Sequence, residues 1–355
     1  MSAMQEDLPL VNVAQDRQVS VVSGGGGATT VPQVQVAGFK RTSSLHAPIM
    51  QLSGHQGTVY ANRFSPDGTV LASASFDKSV CLWRVHGVEC ENFGVLKGHK
   101  NAVLDVAFCA AGASLLSVSA DMAVVLWDVE TGARVRRVTE HRAVINACAA
   151  SGGPVAAELL ASVSDDCSAK LWDARQRASA LSVAHRYPLT AVAFANAGHS
   201  LLLSGVDGVI RMHDLRKEAA AVFELLGHDD LVCGLAVNPL GTHVLSNSFD
   251  CTLREWDIRP YCATPSRCTL TYMGHGASSD KNLMRCSWSA DGQRVAAGSG
   301  DKFVYVWSRD TQKILYKLPG HRGCVNDVQF SPNEPIIASC SNDRTIFLGE
   351  LQLDD

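Results

Sequence analysis

The chain has 355 residues, of which 46% are hydrophobic and 19% charged, with a formal net charge of −4. That composition supports a sizeable buried core, and its acidic balance excludes wholesale electrostatic binding to nucleic acid. No apolar run approaches the roughly 20 residues a membrane-spanning helix needs. The start, "MSAMQEDLPLV", has no positive segment ahead of an apolar one, so it does not read as a secretory signal. Twelve cysteines occur without a CxxC pair, mostly inside apolar runs such as "SVCLW" and "IIASCS". This spacing points away from zinc and toward buried free thiols in a reducing compartment.

In chain order, residues 1–45 come first and contain "SVVSGGGGATT". A phosphate-cradling loop would need Gly-Lys-Ser/Thr after the glycines, and none follows. The expectation is a disordered or flexible N-terminal tail over 1–45. Next, "APIMQLSGH" (47–55) reads as a strand leading into a Gly-His pair.

That pair, or a close relative, recurs at His55, His99, His141, His185, His228, His275 and His321, a period of about 44 residues. A second motif keeps step with it: an Asp six residues ahead of a Trp. The pairs are Asp77 and Trp83, Asp121 and Trp127, Asp166 and Trp172, Asp250 and Trp256, and Asp301 and Trp307. Two copies lack the Trp, since Asp207 leads to His213 and Asp343 to Gly349. Between the motifs the apolar residues alternate as in strands, and "SPDG" (65–68) and "SADG" (289–292) are hairpin turns.

Seven registered copies of two linked motifs resemble the WD40 β-propeller family over nearly the whole chain. The implied fold is all-β, a seven-bladed propeller over 46–355 with four strands per blade. The last repeat stops after its third strand, "TIFLGEL", so residues 47–52 are expected to complete blade seven. Closure of this kind removes the exposed sheet edges that template aggregation.

Each repeat also holds Ser, His and Asp, the components of a hydrolytic triad. In the first repeat they are Ser73, Ser75, His55 and Asp77. An enzyme needs one activated serine beside an oxyanion hole, whereas here the set recurs around a ring. By resemblance, Trp, Ser, His and Asp form a buried hydrogen-bonded bracket across each blade, each charge-assisted bond contributing about 1.5–3 kcal/mol. Ser73 and Ser75 face the same way, so the choice between them stays open at this point. Repeat four carries His213 in the Trp position and Gly205 in a Ser position, so its bracket should be incomplete. No catalytic residue and no cofactor or metal site is expected.

The residue before each turn Asp and the fifth residue after each His should lie near one rim of the channel. Phe76, Asp165, Phe249 and Asn342 belong to the first set, with Ala120, Val206 and Gly300. Tyr60, Leu104, Asn146 and Asn326 belong to the second, with Thr190, Cys233 and Met284, the last placed by its spacing to Trp288 because "GASSDKN" lengthens that repeat. Together they are expected to make a partner-binding face. On the opposite side, "LWDARQR", "MHDLRK" and "EWDIRP" place Arg175, Arg216 and Arg259 two residues after an Asp. By resemblance, such motifs dock the adaptor of cullin-type ubiquitin ligases, but each Arg could equally pair with its neighbouring Asp.

The segments "SSLHAPIMQLSGH", "GVLKGHKNAV", "WDIRP", "KNLMRCSWSADGQRVAAGSGDKFVYVW", "ILYKLPGH" and "EPIIASCSND" narrow the resemblance further. In wording and order they resemble the WD-repeat subunits of the U5 small nuclear ribonucleoprotein. Departures lie in the tail, in "SGGPVAAELL" and in "YCATPSRC". The resemblance implies a monomeric, non-catalytic nuclear scaffold in pre-mRNA splicing. Its partners would be spliceosomal proteins: the particle's large central protein and its helicase-containing neighbours. No membrane or small-molecule partner is implied. Direct RNA contact would be local at most, with Lys100, Arg136, Arg137 and Arg142 as the candidate residues.

Overall fold

A computed structural model describes residues 43–86, 92–151, 159–173, 176, 178–195, 198–217, 220–262 and 264–351. The part of the expected tail at 1–42, and Arg175, lie outside the described residues.

Twenty-eight strands form seven four-stranded antiparallel sheets. Blade one runs β2 (Val59–Phe64), β3 (Val70–Ser75), β4 (Ser79–Arg84) and β5 (Asn92–Lys97) in sequence order. Blades two to six repeat this arrangement with β6–β9 (Val103–Val138), β10–β13 (Ile145–Ala184), β14–β17 (Leu189–Leu225), β18–β21 (Val232–Met273) and β22–β25 (Cys286–Leu318). Blade seven contains β26 (Val325–Phe330), β27 (Ile336–Ser341) and β28 (Thr345–Glu350), and its outer strand is β1 (Ile49–Ser53). β1 pairs antiparallel with β28, Ile49 opposite Gly349 and Ser53 opposite Thr345. The first strand of each blade touches the first strand of the next, β26 against β2 included, so the seven sheets close into a ring.

The seal begins before residue 46. Ser43 N donates to Glu350 at 2.8 Å and Ser44 N to Glu334 at 2.9 Å. Leu45, only 3% exposed, joins the apolar cluster shared by blades seven and one. An apolar side chain flanked by two anchored serines belongs with the propeller rather than with a tail.

The core lies between blades. β3 ("VLASAS"), for example, is buried along nearly its whole length. Small residues suit strands covered on both faces, because neighbouring sheets approach closely near the axis. At the hairpins, Gly68 and Gly292 adopt φ of 73° and 69°, which a glycine reaches without steric penalty.

A β-bulge interrupts the first strand of six blades. Pairing skips between Val59 and Ala61, and likewise between Val103 and Asp105, Ile145 and Ala147, Leu189 and Ala191, Val232 and Gly234, and Val325 and Asp327. The skipped residue is in each case the fifth after the repeat's histidine. A bulge bends its strand and re-aims the extra side chain. Here it aims it at the next blade: Asn326 Nδ2 donates to Val59 O at 2.7 Å, Asn146 Nδ2 to Leu189 O at 2.8 Å, and Thr190 Oγ1 to Val232 O at 2.5 Å.

Candidate functional site

In blade one, His55 Nδ1 lies 2.8 Å from Asp77 Oδ2 and its Nε2 lies 2.7 Å from Ser73 Oγ. Trp83 Nε1 donates to the same Ser73 oxygen at 2.8 Å. The chain repeats in blade two through Asp121, His99, Ser117 and Trp127, and in blade three through Asp166, His141, Ser162 and Trp172. Blade five has Asp250, His228, Ser246 and Trp256. Blade seven keeps Asp343, His321 and Ser339, while the Phe347 ring packs edge-on against His321 at 4.7 Å.

The first serine of each pair makes the chain. Ser75 stands outside it: its hydroxyl donates to Gly57 O at 3.1 Å and accepts from Asp77 N at 3.2 Å. Ser73 lies directly across from Cys81, two residues before Trp83, which puts its oxygen under the indole.

Blade six departs from the expected bracket. Ala297 stands ten residues before Trp307, where Ser73 stands before Trp83, so no hydroxyl is available. His275 Nε2 turns to Asn247 Oδ1 in blade five at 2.8 Å, Trp307 Nε1 donates to Met273 O at 3.1 Å, and Asp301 accepts from Tyr305 Oη at 2.6 Å. Among the described residues His275 Nδ1 has no hydrogen-bond partner. Blade four has no chain either. Leu203 fills the position of Ser73, the ring of His185 lies edge-on to His213 at 5.2 Å, and Asp207 pairs with Arg211 at 2.7 Å. Amide exchange over residues 186–226 is therefore expected to be faster than in the braced blades. Hydrogen-exchange mass spectrometry showing uniform protection round the ring would contradict this.

The Ser–His–Asp order matches a catalytic triad, but the surroundings do not serve attack. Ser73, Ser117, Ser162 and Ser246 are 0% exposed. An indole N–H already occupies each of those oxygens. A nucleophile needs an open approach and donors for a developing oxyanion.

Protonation differs even among the braced blades. Burial pulls the His55 imidazole down, but hydrogen bonds with Asp77 and Cys81 outweigh it and hold it at about 9. Burial raises Asp77, Asp250 and Asp343, yet their histidine and hydroxyl partners hold all three well below the usual carboxylate range. At His99, burial wins with help from Arg137, which shares Asp121, and the imidazole is lowered. Burial drives His185 and His275 down to about 4. A histidine lowered on folding stabilises the native state above its unfolded pKa of about 6.5 and loses that contribution as pH falls toward 4. Urea denaturation at pH 5 should thus show roughly 1–2 kcal/mol less stability from His275 than at pH 7.5. His275→Asn should flatten that slope, and an unchanged slope would contradict the assignment.

The expected partner face is partly internal. Met284 and Asn326 are 0% exposed, and Asn146 is buried between the blades it links. Asn342 bonds Asn282, Asn326 and Asp280, while Tyr60, Leu104 and Phe249 are half-buried. The bulge explains Asn146 and Asn326, since it directs the fifth residue after the histidine inward along the ring. Phe76 (57% exposed) and Asp165 do face solvent, Asp165 also accepting from Asn146 at 2.6 Å. Val206, Met122 and Tyr187 add exposed apolar surface at the same end of the blades. On the other side, Arg216 forks onto Asp214 at 3.1 and 3.2 Å, and Arg259 onto Asp257 at 3.0 and 2.6 Å. Each guanidinium is engaged by its own neighbour. Of the residues considered for RNA contact, Arg137 bonds Asp121 and Arg136 bonds Gln176 O.

A cluster inside the channel has no counterpart among the expected residues. Asp105, 0% exposed, accepts from Arg285 Nη1 at 2.5 Å and from Cys148 N at 2.8 Å. Asp327, also 0% exposed, accepts from Arg63 Nη1 at 2.6 Å and from Asn62 N at 3.0 Å. Arg285 further donates to Leu104 O and Asn146 O. Blades one, two, three, six and seven are thus tied across the axis. The signal in the sequence is one charge inside each otherwise apolar first strand: "ANRF", "VLDVAF", "LMRCSW" and "VNDVQF".

Seven four-stranded sheets in a ring, four of them with a complete Asp–His–Ser–Trp chain, define a repeat propeller, and the family comparison agrees. The family model described as WD domain, G-beta repeat matches residues 46–84, 90–128, 132–173, 220–257, 266–308 and 312–348, so the chain belongs to the WD40 family. The unmatched stretch from 174 to 219 contains most of unbraced blade four. The chain is 44% identical over 353 residues to the U5 small nuclear ribonucleoprotein 40 kDa protein of Homo sapiens, covering 98% of this chain and 97% of that one. It is 43% identical to the protein of the same name from Dictyostelium discoideum, covering 96% and 94%. It is 41% identical to pre-mRNA-splicing factor cwf17 of Schizosaccharomyces pombe, covering 88% and 90%.

Proposed function

We propose that this chain is a non-catalytic scaffold of the U5 small nuclear ribonucleoprotein, acting in pre-mRNA splicing in the nucleus. The observation that carries this reading is the 44% identity, over nearly the full length of both chains, to a protein named as a U5 component. In this reading the brackets are struts that hold seven sheets in register, and the propeller's faces receive spliceosomal proteins, among them the particle's large central protein and helicase-containing neighbours. The buried, indole-capped serines support a role without chemistry. Docking of a ubiquitin-ligase adaptor is disfavoured because Arg216 and Arg259 are held by their own aspartates. Affinity purification of the tagged chain from nuclear extract is expected to recover U5 RNA and splicing proteins. Recovery of a cullin adaptor without U5 RNA would overturn the proposal, as would ester hydrolysis by the purified chain that is lost in Ser73→Ala.

A further inference from the structure

The end of the propeller that carries the bracket histidines presents a set of exposed cations although the chain as a whole is acidic. Lys100, Arg142 and Arg322 each follow a bracket histidine and are exposed. Their backbone N–H groups donate to the turn carboxylates of Asp121, Asp166 and Asp343 at 2.7, 2.9 and 2.8 Å, which fixes where each side chain starts. Lys78, Lys302 and Arg344 each follow a turn aspartate on the same face, also exposed. Arg186 extends the series into blade four, stacked 5.2 Å over the half-open ring of Tyr187. The cations therefore form an arc from blade six through blades seven, one, two and three to blade four; Asp229 and Asp230 interrupt it at blade five, and Asp165 and Asp280 lie on the same face, each bonded to an asparagine.

A further observation separates this arc from an ordinary solvated surface. None of these seven side chains is in an ion pair among the described residues, whereas Arg216 and Arg259 on the opposite side are neutralised. The turn aspartates beneath take their hydrogen bonds from histidine and backbone donors and not from these cationic side chains. Moreover, Lys78, Lys302 and Arg344 sit at φ of 70°, 76° and 70°. A left-handed conformation disfavours residues other than glycine, and blade four does place Gly208 at this position. The turn imposes this conformation on the other blades too, Met122, Cys167 and Cys251 holding φ of 61°, 62° and 61° at the same position, so it fixes where the three cations start.

Exposed apolar side chains lie among the cations: Phe76, Met122, Val206 and Tyr187. We infer that this face docks an acidic segment of a partner polypeptide, its carboxylates meeting the arc and its apolar side chains covering Phe76 and its neighbours. This deepens the scaffold reading and rests on it for the identity of the partner. A polypeptide fits better than a nucleic acid because the cations stand singly on separate blades, divided by apolar groups and closed off by Asp229 and Asp230. A continuous polyanion would favour an unbroken basic track.

The test uses the full chain and fluorescence anisotropy with three labelled probes of equal length. They are a synthetic peptide of glutamates interspersed with Phe and Leu, the same peptide with Gln for Glu, and oligouridylate. The glutamate peptide is expected to bind in a salt-dependent manner, about tenfold or more tighter than the glutamine peptide. The double variants Lys100→Glu/Arg142→Glu and Lys302→Glu/Arg344→Glu should each weaken it by a similar factor while keeping the thermal midpoint of the parent. Lys217→Glu/Lys313→Glu, outside the arc, should bind as the parent does. Absence of peptide binding, or tighter binding of oligouridylate, would overturn the inference. In nuclear extract, retained U5 recovery by Lys100→Glu/Arg142→Glu would contradict use of this face in the particle, even with peptide binding lost. Failure of the parent itself to recover U5 RNA would sink the scaffold reading and leave the peptide result standing.

Discussion

Asp105→Ala is expected to destabilise the propeller by about 3–5 kcal/mol, because it strands a buried guanidinium without its counter-charge. In the parent, Arg285 reaches Asp105 across the channel at 2.5 Å, and both side chains are at least nine-tenths buried. The substitution also removes the acceptor for the Cys148 and Val106 amides. Arg285→Met alone should also destabilise but cost less, since Arg63 Nη2 still lies 3.9 Å from Asp105 Oδ1. The double variant Asp105→Ala/Arg285→Met should recover part of the loss, because an apolar pair needs no compensation for desolvation. Urea denaturation of the four proteins completes the cycle. Additive single effects, with no recovery in the double variant, would show that the two residues do not act as a pair across the axis.

Trp256→Ala should lose about 3–5 kcal/mol, mainly through the cavity left in blade five. The Trp256 side chain is 0% exposed, its indole N–H donates to Ser246 at 2.7 Å, and its ring lies 5.8 Å from that of His228. Truncation would strip packing from Gly227, whose backbone rests against the indole, and would leave the Ser246 oxygen one donor short. His213→Ala, at the equivalent position of blade four, should cost less, since that ring packs on His185 and no serine chain depends on it. Equal losses at the two positions, measured by chemical denaturation, would mean that the complete chain adds nothing beyond bulk.

The repeats were legible because the same hydrogen bonds recur in them, and each bond demands a particular residue at a particular offset. His55, Asp77 and Trp83 recur in step for that reason. Ser73 and Ser75 could not be told apart because both point the same way, and only the pairing of β3 with β4 places Ser73 beneath the indole. The failure of blade six was written in "RVAAGSG", where Ala297 takes the serine position, but a matching His275, Asp301 and Trp307 obscured it. Asn146 and Asn326 were misplaced on the partner face because a bulge is invisible to a strictly alternating pattern, whereas Met284 lies just before the first strand of blade six, which has no bulge. The channel cluster was illegible for a different reason. Asp105 and Arg285 are separated by 180 residues and meet only because seven sheets close on one axis.

The most direct measurement is the stability of Ser73→Ala, Ser117→Ala, Ser162→Ala and Ser246→Ala, set beside their recovery of U5 RNA from nuclear extract. Each hydroxyl joins a histidine to an indole, so each loss should cost about 1–3 kcal/mol in urea denaturation. Folded variants should still recover U5 RNA like the parent. Unchanged stability in all four, with U5 recovery abolished, would contradict the account by placing these serines in the function instead of the frame.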